Sequence, residues 1–153
     1  MPEYLETTVD KFIFRVATDR LYSPDGVWAF WVESQGNGQV RIGLTDYLQQ
    51  LNGDVAFAHV KPVGTNLVVG DEVAELETIK ATVSLFAPVS GTVVAVNPDL
   101  DLSPEFINQE PYGKGWMAVI EATDWQSDRA KLLAPQAYLS AMRSHAEEEL
   151  KER

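Results

Sequence analysis

Few side chains in this sequence can do chemistry alone. Cysteine is absent, which excludes disulfides, thiolate metal sites and a cysteine nucleophile. The two histidines, His59 and His145, lie far apart. His59 falls in an alternating strand pattern and His145 in a polar helix. Neither has the neighbours of a zinc site or a Ser-His-Asp triad, and there is no glycine loop for a nucleotide. The informative stretch surrounds a lysine. Of the six lysines, Lys80 stands in the middle of VGDEVAELETIKATVSLFAPVSGTVVAVN, Val69–Asn97. Two β-rich arms flank Glu77-Thr78-Ile79-Lys80-Ala81. Each arm has a tight turn, Gly70-Asp71 and Ser90-Gly91, at a similar distance from Lys80. This near-symmetry predicts two halves of a flattened barrel meeting at a hairpin, with Lys80 near the tip and its amine in solvent. An exposed hairpin lysine is by itself an ordinary solvated residue, so its context must decide.

The elements that position it are short. Residues 11–18, Val27–Glu33 and Gln39–Leu44 read as strands, with turns at Ser23–Gly26 and Gln35–Gly38. Thr45–Gly53 changes character: Thr45 can cap a helix, Tyr47, Leu48 and Leu51 give it an apolar face, and Asn52-Gly53 ends it. Asp54–Val60, Asn66–Val69, Glu72–Thr78, Thr82–Ala87 and Gly91–Val96 are further strands. Ser103–Asn108 reads as a short helix with Ser103 as cap and Pro104 at its first position. Trp116–Ala122 is a last strand. Ser127 is expected to cap a helix running to about Leu133. Pro135 opens another, with Tyr138, Leu139 and Met142 on one face, and the charged tail frays. Many short strands with frequent turns predict a mostly β fold, a small barrel or sandwich with helices packed outside. The expectation is one domain over 1–153, with an N-terminal extension at 1–20 and C-terminal helices at 127–153.

Charge and composition set limits. Twelve Lys and Arg against 23 Asp and Glu give a net charge of −11. Such a surface repels nucleic acid and anionic membranes. The N-terminus lacks a basic, apolar signal pattern, and no stretch has the roughly 20 apolar residues that span a bilayer. A cytoplasmic protein is expected.

The combination E-x-x-K-A, a strand, then A-P-V-S-G-x-V resembles the attachment segment of lipoylated carriers. Over roughly Tyr22 to Met142 the chain resembles the H-protein family of the glycine cleavage system. Val40–Gly64 resembles that family's G-[IL]-T-D-x-x-Q-x-x-x-G-D-[IV]-x-[FY] stretch. GDEVAELETIKA resembles its G-[DE]-x-x-[AG]-x-[VIL]-E-[ST]-[VI]-K-A motif, and APVSGTVVAVN its S-P-[VI]-S-G-x-[VI] motif. Pro104–Met117, PEFINQEPYGKGWM, resembles a P-Y-x-x-G-W segment that simple lipoyl and biotinyl domains lack. The resemblance implies a barrel-sandwich hybrid and a carrier that is not itself an enzyme. It implies lipoate in amide linkage to Lys80, with Glu77, Thr78, Ile79 and Ala81 read by a lipoate-protein ligase or lipoyl transferase. Biotin fits less well, because biotinyl turns carry M-K-M. Gly53, Gly64, Gly70 and Gly91 suit turns. Tyr112-Gly113 and Trp116 suit a loop held on the barrel, and Asp46 and Asp71 suit hydrogen bonds within turns.

The resemblance breaks at one place. Where the family carries H-E-W, this chain has Gly26-Val27-Trp28. In the family that glutamate lies near the docked arm, where a carboxylate can hold an aminomethyl amine. Valine cannot, at a loss of about 1.5–3 kcal/mol for a charge-assisted contact. The N-terminal segment Glu3–Arg20 is also longer than usual. These departures favour a lipoate-binding protein of sulfur oxidation, working with a heterodisulfide-reductase-like complex. The alternative is a glycine cleavage H-protein carrying an aminomethyl group among glycine decarboxylase, aminomethyltransferase and dihydrolipoamide dehydrogenase. A second alternative is a binding or scaffold module without lipoate.

Overall fold

The computed structural model describes residues 2–34 and 37–151. Gln35 and Gly36 of the expected hairpin turn lie outside the described residues, as do Glu152 and Arg153 of the tail.

Among the described residues, eleven strands form three sheets. The largest has the order β3 (Leu21–Tyr22), β4 (Val27–Ser34), β5 (Asn37–Leu44), β11 (Ala118–Ala122), β10 (Gly91–Val96) and β7 (Asn66–Leu67). The second has the order β6 (Val55–Val60), β8 (Glu72–Thr78) and β9 (Thr82–Phe86). The third is a hairpin of β1 (Tyr4–Val9) and β2 (Phe12–Ala17), paired from Tyr4↔Ala17 to Val9↔Phe12. Neighbouring strands run antiparallel throughout.

Two apolar cores hold these layers. The first lies between the six-stranded and three-stranded sheets, with Val27, Ile42, Leu44, Val73, Leu76, Met117 and Ile120 inside it. Burying each side chain of this size stabilises the fold by about 1.5–3 kcal/mol. The fold is mostly β, as the strand pattern predicts, and a barrel-sandwich hybrid, as the family resemblance implies. The second core joins the hairpin, the outer side of β4 and two helices, α1 (Asp46–Asn52) and α4 (Pro135–Lys151). Tyr138, Met142 and Ala146 are its contribution from α4. Their spacing of four puts them in one stripe on the helix, with Leu139 and Leu150 packed partly buried beside it. Tyr22 and Tyr138 stack at 4.6 Å, and the Tyr22 hydroxyl donates to the Ala17 carbonyl at 2.6 Å.

Helix α1 follows its sequence signals. The Thr45 hydroxyl accepts from Leu48 N, and Gly53 closes the helix at φ 82°. Elsewhere the expected elements shift. The short helix α2 is Phe106–Gln109, with Glu105 and not Ser103 before it. Ser103–Glu105 instead form tight turns whose carbonyls accept from the third residue on, as in Phe106 N to Ser103 O at 3.1 Å. Helix α3 is Trp125–Arg129, so Ser127 lies inside it and Asp124 stands at its start. Strand β1 has no counterpart among the expected strands. Its apolar residues fall at intervals its exposed Glu and Thr obscure, and its partner β2 is what defines it.

Candidate functional site

Lys80 sits at the tip of the β8–β9 hairpin, and one hydroxyl holds the tip together. Thr78 Oγ1 accepts from Lys80 N at 3.2 Å and from Ala81 N at 3.1 Å. The same hydroxyl donates to the Ala81 carbonyl at 3.0 Å, and Thr78 N reaches that carbonyl at 2.9 Å. Backbone groups that would otherwise wave in solvent are thereby fixed, a local use of threonine common at turns. Ile79 N donates to the Asp54 carbonyl at 3.2 Å, tying the tip to the loop after α1. The two arms continue as the sequence symmetry implies. β7 and β10 pair at Leu67↔Gly91, and Gly70 N donates to Ala87 O while Ala87 N donates to Asp71 O.

Lys80 and Ala81 are exposed. The Lys80 amine donates to the Leu51 carbonyl at 3.4 Å. Leu51 O belongs to the last turn of α1, where carbonyls lack helical partners and the helix dipole favours a cation. Ile79 is 74% exposed, so it does not pack the hairpin. It leans on Gly53, where an added Cβ would stand 3.5 Å from Ile79 Cγ1 and 3.7 Å from Lys80 Cε. Glu77 is half-exposed on β8, with His59 Nε2 at 3.5 Å. Glu77, Thr78, Ile79 and Ala81 are thus gathered around Lys80, one of them as a turn lock and three offered to solvent.

Sequence reasoning missed Asn108. Its Oδ1 accepts from Val55 N at 2.9 Å, and its Nδ2 donates to Gly53 O at 3.0 Å and to Gln49 Oε1 at 3.1 Å. One side chain therefore clamps the loop against which Lys80 rests. Its only signal in the sequence is its place in PEFINQEPYGKGWM, the segment that resembles the family's. The same stretch anchors the rest of the protein. Trp28 Nε1 donates to Pro111 O at 2.9 Å, and the Tyr112 hydroxyl donates to Arg15 O at 2.7 Å. Tyr112 thus holds the N-terminal hairpin, a larger task than loop positioning. Asp46 works both locally and between elements, accepting from Gln49 Nε2 at 2.9 Å, from Gln50 Nε2 at 3.1 Å and from Arg15 N at 2.9 Å, and Asp71 accepts locally from Val68 N. His145 bonds the Tyr47 hydroxyl through Nδ1 and so links α4 to α1.

Val27 is 1% exposed and packed in the first core. Beside it Gly26 has φ 95°, and an added Cβ would meet Leu48 Cδ1 at 2.5 Å. Neither position presents a polar group to a cleft. Leu48 fills the space that a side chain at 26 would need.

The family model described as "Glycine cleavage H-protein" matches residues 21–145. The chain belongs to the glycine cleavage H-protein family. It is 42% identical over 111 residues to the glycine cleavage system H protein of Mycobacterium avium, covering 71% of this chain and 84% of that one. It is 41% identical over 120 residues to the protein of that name from Oceanobacillus iheyensis, covering 78% and 91%. The crystal structure of a glycine cleavage system H protein from Mycobacterium marinum superposes with a TM-score of 0.72 at 30% identity, covering 82% of this chain and 97% of that one. Members of this family carry lipoate covalently on a lysine and are carriers, not catalysts. The matched residues exclude the β1–β2 hairpin and the end of α4 from residue 146 on. Among the described residues, no helix is long and apolar enough to cross a membrane.

Proposed function

We propose that Lys80 is the lipoylated residue and that the chain carries an aminomethyl group in glycine cleavage. The observation that carries this is the placement of Lys80, exposed on a turn locked by Thr78, within the family-matched residues. The surroundings fit the group. The amine faces solvent beside a helix-end carbonyl, and an amide at Nζ retains one N–H to donate to Leu51 O. Acylation removes the lysine charge, and the turn does not depend on that charge. When bound, the dithiolane supplies a disulfide that a partner can open and a thiol that can hold cargo. Ile79, Glu77 and Ala81 offer a lipoate ligase or lipoyl transferase an exposed edge to read, while Thr78 fixes its shape.

The glycine reading displaces the sulfur-oxidation reading. That reading rested on Val27 and on the longer N-terminus. Val27 is a core residue, and the extension is a hairpin pinned by Tyr112 and Asp46. The relatives that cover most of the chain bear glycine cleavage names, which supports glycine decarboxylase, aminomethyltransferase and dihydrolipoamide dehydrogenase as partners, in the cytoplasm.

The test is lipoylation in vitro with a lipoate-protein ligase, read by intact mass and peptide mapping. One lipoyl group on Lys80, absent from Lys80→Arg, is expected. A label on another lysine, or none, overturns the assignment. Transfer of label from glycine to the lipoylated protein by glycine decarboxylase then tests the cargo.

A further inference from the structure

We propose that the oxidised arm on Lys80 rests in an apolar hollow between α1, β2 and the end of α4. This deepens the carrier reading and rests on Lys80 being the attachment residue. The walls are Phe12 and Phe14 from β2, Tyr47 and Leu51 from α1, and Ala146 and Leu150 from α4. Gln50 and Glu149 supply its polar rim. The hollow is shallow, with a cavity of about 40 Å³ that opens onto solvent.

Three observations point to the arm as occupant. The first is adjacency. The Lys80 amine lies 3.4 Å from the carbonyl of Leu51, whose side chain is itself a wall. Attachment atom and hollow are separated by one residue, a gap that an amide, a methylene chain and a ring can cross. The second is chemistry. Phe12 and Phe14 are alternate residues on one face of β2, with rings 6.3 Å apart, and Tyr47 meets Phe14 edge-on at 5.1 Å. A dithiolane is small, apolar and polarisable, and divalent sulfur packs well against aromatic edges. Sheltering it there removes both its surface and that of Leu150 from water. The third is origin. Phe12, Phe14, Ala146, Glu149 and Leu150 all lie outside the family-matched residues 21–145. The hairpin and the helix end, both outside the family-matched residues, thus converge near the attachment lysine, and with Leu51 they build a shelter for what is attached there.

The test uses the full chain, lipoylated in vitro, with the site of modification fixed by peptide mapping. The arm's disulfide is reduced with a water-soluble phosphine, and the rate is compared between wild type and Leu150→Lys. At least threefold slower reduction in wild type is expected. Methyl resonances of Leu51 and Leu150 should also shift on lipoylation, while those of Val63, beyond the far end of β6, stay in place. The methyl shifts are read on wild type, so they decide the matter even if Leu150→Lys folds poorly. Lipoylation on Lys80 with equal rates and unmoved methyls overturns the docking proposal and leaves the carrier reading intact. Absence of the lipoyl group from Lys80 overturns both.

Discussion

Asn108 Nδ2 donates to the Gly53 carbonyl at 3.0 Å while its Oδ1 accepts from Val55 N at 2.9 Å. The amide spans the loop between α1 and β6, and Lys80 and Ile79 rest on Gly53. Replacing it by alanine leaves a backbone donor and acceptor without protein partners. Asn108→Ala should destabilise the fold by about 1–3 kcal/mol. A urea titration followed by tryptophan fluorescence measures this. Lipoylation of the folded variant should also slow, because the rest under the Lys80 turn is loosened.

Thr78 makes the sharper case for shape at the attachment turn. Its hydroxyl serves two amides and one carbonyl within the turn. Thr78→Val keeps the β-branched shape and the strand but deletes every one of those bonds. Loss of about 1.4 kcal/mol of turn order corresponds to a tenfold drop in the ligase's kcat/KM for this protein. Thr78→Ser should restore most of the rate. An unchanged rate for the valine variant would mean that the ligase reads Glu77, Ile79 and Ala81 without needing a fixed turn.

The sequence marked Lys80 and its hairpin because turn residues and strand alternation are local properties. The helix α1 was legible for the same reason, with cap, apolar face and terminating glycine all in nine residues. What holds the site in place was not legible. Asn108 reaches Gly53 from 55 positions away, and Tyr112 reaches Arg15 from 97. No local pattern encodes such bonds. Strand β1 escaped for a related reason, since its identity depends on β2 and α4. In the sequence, the departure at Val27 points to a change of cargo. Burial turned it into a packing choice coupled to Gly26 and Leu48.

Two buried phenols make stability sensitive to alkali. Desolvation holds Tyr22 well above the usual tyrosine range, against the opposing pull of Arg20, and desolvation does the same to Tyr138, against its hydrogen bond with Thr45. Below pH of about 10 both are neutral in folded and unfolded chains, so neither makes stability depend on pH. Above that, the unfolded chain releases protons that the folded chain retains. The folded state then binds more protons, and stability falls as pH rises. Urea midpoints should therefore be level from pH 8 to about 9.5 and drop beyond it. Tyr22→Phe should cost about 0.5–1.5 kcal/mol at pH 8 through its lost bond to Ala17, yet flatten the alkaline decline.

Position 27 offers the cleanest test of packing against cargo recognition. Val27 is 1% exposed, opposite Leu44 and inside the core between the two large sheets. A glutamate there would bring a carboxylate into apolar surroundings with no partner. Val27→Glu should lose about 3–5 kcal/mol, the range for an uncompensated buried charge. The loss should shrink at low pH, where the carboxyl is protonated and only its size and polarity remain unfavourable. Because the defect is one of solvation, changing Leu48 to alanine should not rescue the charge. A Val27→Glu protein as stable as wild type at pH 7.5 would mean that this strand rotates its side chain out of the core. Thermal melts of lipoylated and unmodified Val27→Glu, run at pH 5 and pH 7.5, separate these outcomes.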